Sequence, residues 1–249
     1  MARRFVEDRW SLKRLHRLIV TSATYRQSSR VSPELLAKDP QNRLLAHAPR
    51  LRLDAEIVRD TALRASGLLS EKLYGPPVRP PQPAAALEGA YGGASWPTDQ
   101  GENRYRRGIY TFLKRATPYA MFNTFDGPSG ETCLAQRDVS NTPLQALTVL
   151  NDEVFVEAAV ALGKLTAKGQ GSDAEKAAQL MRRCVTRVPQ PGEVRSMLAF
   201  MQTQHQRIDS GEIAARPLVS AGEEPTAQRA AWTLLARAIL NLDETITRN

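Results

Sequence analysis

Apolar residues recur at helical spacing along most of this chain, and the best-defined run begins at residue 142. Thr142 suits the N-cap, Pro143 suits the first helical position, and Gln145 can return a hydrogen bond to the cap. The apolar face of this helix is predicted to consist of Leu144, Leu147 and Leu150. Capped patterns of the same period begin at or beside Ser11, Asp54, Asp152, Ser172 and Pro191. The pattern therefore predicts a mainly α, multi-helix domain.

Two shorter segments have a strand-like pattern instead. Residues 105–114 alternate aromatic and aliphatic side chains with cations, and residues 132–139 form a second polar, extended run. Asp126-Gly127-Pro128 between them marks a tight turn. We expect a small antiparallel β ribbon within residues 104–139, inserted between the N- and C-terminal helical parts. Because an isolated ribbon is marginally stable, it must pack against helices.

The segment 75–103 divides the helical patterns, since six of its 29 residues are Pro and five are Gly. So long a segment without periodicity is typically a functional loop or a linker. Tyr91 and Trp96 lie in it, and each either stacks on a ligand or docks onto the protein's own core. The organisation predicted is one domain over residues 1–249, with residues 142–249 as its C-terminal helical part.

The first residues predict a domain that is partial at its N-terminus. Phe5 and Val6 fit the end of an amphipathic helix without a cap, so Met1 falls inside an element. The opening MARRFVEDRW has no apolar core or cleavage site and is no signal peptide as written. No apolar run approaches the roughly 20 residues that a membrane span needs.

The composition is that of an ordinary globular protein, with 42% hydrophobic and 24% charged residues. The formal net charge is +8, but residues 1–30 and 104–115 carry net charges of +6 and +5, leaving −3 elsewhere. A nucleic-acid interface needs one continuous basic face. Two separated runs favour solvated, partly paired cations over binding to nucleic acid or another polyanion.

Most catalytic motifs are absent from the sequence. Cys133 and Cys184 have no metal-site or haem-attachment spacing and are interpreted as buried packing thiols, with a disulfide as the alternative. The three histidines are isolated, and the sequence contains no nucleophile elbow, phosphate loop or dinucleotide fingerprint. Glu56 and Asp60 lie four residues apart on a helix, where surface pairing explains them better than acid–base chemistry. We expect no metal and no cofactor in this chain.

Five segments in order carry a family resemblance, and they are WSLKRLHRLIVTSATYRQSS (10–29), RLDAEIVRD (52–60), YRRGIYTFLKR (105–115), SNTPLQALTVLND (140–152) and AWTLLARAILNLDE (231–244). The chain resembles the planctomycete-type domain of unknown function that forms the C-terminal part of large cytochrome-c-associated proteins. The resemblance implies a periplasmic or extracellular protein with an upstream c-type cytochrome-like domain or an envelope partner. Any haem c would belong to that upstream sequence.

The candidate site is a polar cluster at the end of the ribbon and the start of the Thr142 helix, made up of Arg115, Asp126, Arg137, Asp138 and Asn141. A helix N-terminus offers free N–H groups and positive potential, so arginine support would suit an acidic sugar, a sulfate ester or a carboxylate. The alternative is structural, with Arg137 and Asp138 bridging ribbon to helices and Asn141 fixing the turn.

Two functions follow from this sequence. The first is a non-catalytic binding or assembly module of an exported, cytochrome-linked envelope protein. The second is a substrate-binding or catalytic domain acting on an anionic polysaccharide at the polar cluster. A concave pocket joining the side chains of that cluster would favour the second function. Side chains used up in caps and ion pairs would favour the first.

Overall fold

The computed structural model describes residues 1–87, 95–115, 117–130 and 132–248. These residues contain eleven α-helices and one pair of two-residue strands. The chain divides into two compact units, residues 1–52 with 247–249, and residues 53–246. The prediction of a mainly α protein with a small antiparallel sheet is confirmed. The assignment of residues 1–249 to one domain stays a prediction.

The first unit contains three short helices and the sheet. Its elements are α1 (Ala2–Glu7), α2 (Leu12–Val20), α3 (Pro33–Lys38), β1 (Leu51–Arg52) and β2 (Thr247–Arg248). The two strands are antiparallel, with Leu51 opposite Arg248. The hydroxyl of Ser11 accepts from the backbone N–H of Arg14, which confirms the predicted cap of α2. No residue of α1, α2 or α3 is buried.

The second unit holds the hydrophobic core. Its helices are α4 (Ala55–Ser66), α5 (Ala120–Thr124), α6 (Pro143–Asn151), α7 (Glu153–Ala167), α8 (Asp173–Val185), α9 (Pro191–Asp209), α10 (Ala227–Leu240) and α11 (Asp243–Ile246). Helix α7 packs closely against α10, since a Cβ on Gly163 would lie 2.7 Å from the Cα of Thr233. The predicted core residues Phe155, Leu162 and Trp232 are buried. Burial of these apolar side chains is the main source of stability in this unit.

The helix starts follow the sequence signals closely. Thr142 and Gln145 form the predicted capping box of α6, and Ser172 and Glu175 form that of α8. Asp152 caps α7 by accepting from the backbone N–H of Val154 at 3.0 Å. Local side-chain hydrogen bonds therefore fix where these helices begin, as the sequence indicated.

The predicted placement of the ribbon within residues 104–139 is wrong. The strand-like segment forms two 3₁₀ turns, Gly101–Tyr105 and Gly108–Tyr110, and its backbone pairs with residues 70–78 rather than 132–139. Ser70 N–H donates to Tyr105 O, and Val78 N–H donates to Tyr110 O. Parallel single bridges to this earlier segment satisfy the backbone groups that a ribbon would have used.

Two helices bury a different face from the one predicted. Leu144 and Leu147 of α6 are 59% and 54% exposed, whereas Gln145 and Val149 are buried. The amide of Gln145 tolerates burial because it donates to Thr124 O at 3.0 Å and to Ser140 Oγ at 3.0 Å. In α4, helical spacing predicts that Ile57 lies in a buried stripe with Thr61, Ala65 and Leu68, but Ile57 is 46% exposed and Val58 is buried.

The Pro/Gly-rich loop 75–103 docks onto the protein through Trp96. The indole N–H of this buried residue donates to Pro80 O at 2.7 Å, and its ring stacks on Tyr119 with a centroid distance of 6.0 Å. Trp96 therefore packs in the core, which is the structural alternative stated for the loop aromatics. Tyr91 lies outside the described residues.

Candidate functional site

Asp126 is the predicted site residue that the structure brings to the start of α6. Its backbone is left-handed, with φ of +59°, and its carboxylate accepts from Ser140 N at 2.8 Å and Ser140 Oγ at 2.8 Å. Gln145 Nε2 lies 3.4 Å from the same carboxylate. We refer to Asp126, Ser140, Thr142 and Gln145 as the α6 junction. Its polar groups bond mainly to one another and to nearby backbone, and none of the described cavities has these four residues in its lining.

Arg137 points to a different helix from the one predicted. Its guanidinium donates twice to the carboxylate of Glu56, at 2.7 and 3.1 Å, and lies 3.8 Å from Asp54. Burial is the largest influence and would raise the pKa of Glu56, but hydrogen bonds from Arg137 and from the backbone of Glu56, together with the charge of Arg137, outweigh it, so the pKa is lowered. Arg137 therefore supports the first turn of α4 and keeps Glu56 ionised.

Of the other three predicted residues, Asn141 directly precedes the N-cap of α6, between Ser140 and Thr142 of the junction. Arg115, Asp138 and Asn141 are exposed. The described cavities have none of the five predicted site residues in their lining. A ligand site centred on those five residues stays a prediction, and the geometry places Asp126 and Asn141 at the start of α6 but Arg137 at the start of α4.

The largest described cavity lies along α4 and has a volume of about 710 Å³. We call it the α4 cleft. Its defining residues are Glu56, Asp60 and Arg64 of α4, Arg107 and Ile109 at the 3₁₀ turn Gly108–Tyr110, and Arg183 of α8. Ile57 and Ile109 add apolar surface, and Ile109 is 79% exposed. The cleft therefore combines three arginines, two carboxylates and exposed aliphatic side chains in one concave surface.

Gly108 allows this cleft to form. A Cβ at this position would lie 2.8 Å from the Cβ of Glu56 and 2.9 Å from its Cα, closer than carbon atoms approach one another. The N–H of Gly108 also donates to Asp60 Oδ1 at 2.7 Å. The backbone of residues 107–109 therefore lies directly on α4, which places Arg107 and Ile109 at the rim.

A buried arginine fixes the segment that leads into the cleft. The guanidinium of Arg59, 1% exposed, donates to Arg106 O at 2.6 Å and Arg104 O at 2.8 Å. Arg104 pairs with Glu153 and Glu157 of α7, and Arg106 donates to Pro76 O at 3.0 Å. Two arginines of the basic run 104–115 thus stabilise the fold. This agrees with the expectation that these cations are partly paired.

Arg107, from the same run, is left at the cleft. It is exposed, and its side chain makes no hydrogen bond or ion pair within the described residues. Arg64 is paired with Glu71, while Arg183 uses its Nε to donate to Ala65 O at the end of α4. With Glu56 paired to Arg137 and Arg64 paired to Glu71, Arg107 and Arg183 remain against Asp60, so the cleft has a small excess of positive charge.

The two carboxylates of the cleft have opposite electrostatic environments. Burial raises the pKa of Asp60, and the hydrogen bond from Gly108 and the charges of Arg59 and Arg107 only partly offset it. The pKa of Glu56 is lowered, as described above. Sequence reasoning interpreted this pair as surface carboxylates. The signal it missed was that segments 52–60 and 105–115 both carry cleft residues.

The described residues offer little further site chemistry. They contain no group of His, Cys, Asp and Glu that could hold a metal ion. Cys184 is buried, and burial raises the pKa of its thiol to about 12, so it is not a reactive thiolate. Cys133 is exposed, so its prediction as a buried thiol is wrong, and neither described cysteine forms a disulfide.

The fold and the cleft define a mainly α module with a positive, concave surface, and the comparisons with known proteins place it in a family. Residues 1–201 match the model of PSD1, described as a protein of unknown function (DUF1553). The chain belongs to the PSD1 family, which confirms the predicted kinship with a domain of unknown function. No curated protein and no solved structure matches it. None of the described helices is both long and apolar enough to span a bilayer.

Proposed function

We propose that this chain is a non-catalytic binding or assembly module that recognises anionic groups in the α4 cleft. The observation that carries the proposal is the gathering of Arg64, Arg107 and Arg183 around one cavity of about 710 Å³. This volume is typical of ligand sites. Aliphatic surface beside the arginines adds contact for the uncharged part of the ligand.

The chemistry of the rim favours an anion with oxygen acceptors. A guanidinium presents paired N–H groups that match carboxylate and sulfate oxygens, and it remains charged at all physiological pH values. The exposed guanidinium of Arg107 has all its N–H groups available among the described residues. Arg137 contributes indirectly, since it neutralises Glu56 and so removes a repulsive charge from the cleft.

The proposed setting comes from the resemblance of the five sequence segments. It supports a planctomycete-type protein outside the cytoplasm, with an upstream c-type cytochrome-like domain or an envelope protein as partner. In this setting the haem belongs to the partner sequence, and the present chain contributes recognition of anionic groups without a cofactor of its own. Nucleic acid is not the ligand that we propose.

A second candidate function is supported by one observation, the opposite pKa shifts of Glu56 and Asp60 in the same cleft. A carboxylate that stays ionised beside a carboxyl with a raised pKa is a common arrangement of base and acid. The chain would then act on an anionic polysaccharide, as the polar-site hypothesis suggested. The ion pair between Glu56 and Arg137 favours the binding function over this one.

The binding function is tested with Arg107→Ala. Titration calorimetry against a sulfated disaccharide at low salt should show binding by the wild type and roughly five- to tenfold weaker binding by the variant. The melting temperature should change little, because the side chain is exposed and makes no described hydrogen bond or ion pair. Arg195→Ala, an exposed arginine of α9 outside the cleft, is the matched control. Equal affinity of Arg107→Ala and wild type would contradict the proposal.

The catalytic alternative makes a different prediction. If Glu56 and Asp60 act as base and acid, wild-type protein should shorten a uronic-acid or sulfated polysaccharide, and Glu56→Gln should abolish that shortening. Size-exclusion chromatography of the incubated polysaccharide measures it. We expect unchanged chain length with wild type and variant alike, and new short products with wild type alone would establish the alternative.

A further inference from the structure

A second cavity, of about 290 Å³, adjoins the α4 cleft and has Arg183 in its lining too. It lies between the end of α7 and helix α8, where Lys176, Arg182 and Arg183 line it together with Leu165 and Gly169. Among the described residues, three cations and no carboxylate line this cavity. The positive surface of the cleft therefore continues past Arg183.

The boundary between the two cavities is narrow. Gly67, which ends α4 with φ of +77°, has no side chain there. A Cβ on it would lie 3.5 Å from the Cδ1 of Leu165, in the lining of the second cavity, and 3.9 Å from the Nη2 of Arg183. The backbone of Gly67 and the arginine that both cavities share are thus the surface between them. A linear ligand that crosses at this point would pass over the backbone of Gly67 and beside the guanidinium of Arg183.

Two of the cations also stabilise helix ends. Arg183 Nε donates to Ala65 O, and Lys176 Nζ lies 3.5 Å from Ala167 O. These contacts favour a fixed position for each side chain near the negative end of a helix. Each side chain keeps further N–H groups for a ligand, since Arg has five donors and Lys three. Arg182 is exposed, and its side chain makes no described hydrogen bond or ion pair.

We propose that the two cavities form one binding track for a linear polysaccharide that carries sulfate or carboxylate groups along its length. This inference rests on the proposed anion-binding function of the α4 cleft and names its ligand class. Five cations, Arg64, Arg107, Arg183, Arg182 and Lys176, line the track, against two carboxylates. A chain that carries several anionic groups binds a row of cations more tightly than a single small anion does.

The lining favours a polysaccharide over single-stranded nucleic acid. Proteins that bind single strands stack the bases on aromatic side chains. Among the described residues, no aromatic ring lines either cavity. Sulfate and carboxylate groups need only the charge and the N–H donors that the track provides.

The experiment compares ligand length in two single variants. Wild type, Arg107→Ala, Arg182→Ala and the control Arg195→Ala are titrated with a heparin disaccharide and a heparin decasaccharide at low salt. We expect Arg107→Ala to weaken both ligands about five- to tenfold, and Arg182→Ala to weaken the decasaccharide similarly while leaving the disaccharide unchanged. The salt dependence of decasaccharide binding should fall by roughly one released counterion in Arg182→Ala.

Each of the other possible outcomes contradicts a stated part of the proposal. If Arg182→Ala binds the decasaccharide as wild type does while Arg107→Ala is weakened, the track is wrong and the α4 cleft remains the site. If Arg107→Ala also binds both ligands normally, or wild type binds neither, the proposed function fails together with the track. Binding of a ten-residue oligothymidine as tight as that of the decasaccharide would overturn the polysaccharide assignment.

Discussion

The α6 junction and the α4 cleft are both rich in polar side chains, yet they use them differently. In the junction, Asp126 and Gln145 direct their polar atoms toward each other, Ser140 and nearby backbone, and they line none of the described cavities. In the cleft, Arg107 projects from the surface beside a cavity of about 710 Å³. Polar residues near a helix start therefore indicate a ligand site only where their donors remain unused.

The difference is also one of energetic role. A closed network of buried hydrogen bonds stabilises the fold, because each group left without its partner is costly in a nonpolar environment. An exposed arginine at a cleft contributes little to stability. Substitutions in the junction should change folding and leave binding intact, whereas substitutions at the rim should do the reverse.

The largest expected effect is that of Gln145→Ala in the junction. This buried side chain donates to Thr124 O and Ser140 Oγ, so its loss leaves acceptors without donors and a small cavity. We expect the free energy of unfolding to fall by roughly 2–4 kcal/mol, measured by urea denaturation. Gln202→Ala, at an exposed position of α9, should change it by less than about 0.5 kcal/mol.

Anion affinity should stay at the wild-type level in folded Gln145→Ala protein. A Gln145→Ala variant with wild-type stability would mean that the junction does not support the fold. Loss of anion binding in a still-folded variant would show that the two regions act as one site. Either result would end the distinction between them.

Arg137→Ala should have an intermediate effect, because Arg137 links its segment to the edge of the cleft. Its side chain is 35% exposed, so loss of the double hydrogen bond to Glu56 should lower the free energy of unfolding by about 1 kcal/mol. Glu56 then carries an unneutralised charge, and anion affinity should fall about threefold. Thermal melts and calorimetry measure the two effects, and unchanged affinity with lowered stability would assign Arg137 to the fold alone.

The smallest expected effect is a gain of about threefold in anion affinity for Asp60→Asn at pH 7. The asparagine keeps an oxygen for the N–H of Gly108 but removes a negative charge among the arginines. Calorimetry at two salt concentrations measures the gain, which should shrink at high salt. Weaker binding by this variant would show that Asp60 contacts the ligand as an acceptor.

The pH dependence follows from the raised pKa of Asp60. As the pH falls through that pKa, Asp60 is neutralised and wild-type anion affinity should increase toward that of Asp60→Asn. The variant should lack this increase. The same shift means that ionised Asp60 costs stability above its raised pKa, and that this cost disappears as the pH falls through it.

Local signals in the sequence were enough for the helices but not for their faces. The capping boxes at Thr142 and Ser172 were predicted because side chain and backbone satisfy each other within four residues. The buried side of α6 was not, because burial of Gln145 depends on Thr124 O and Ser140, which are distant in sequence or outside the helix. Leucines at helical spacing gave no indication that two of them would be exposed.

The site was missed for the same physical reason. The strand-like pattern of residues 105–114 reflects pairing with residues 70–78, and no periodicity shows which segment a backbone will pair with. Arg137 was predicted to be a site residue, but its partner Glu56 is 81 residues away along the chain. The α4 cleft depends on these long-range contacts, so its residues were visible in the sequence only as separate motifs.

Gly108 has a consequence for how such a protein can diversify. Any side chain at this position would displace the turn from Glu56. In contrast, the side chains of Arg107 beside it and of Arg182 on α8 make no described hydrogen bond or ion pair. Exchange of those two arginines for neutral or acidic residues would change which molecules are attracted and leave the architecture unaltered. The same fold can thus recognise different molecules in related proteins, provided that residue 108 remains a glycine.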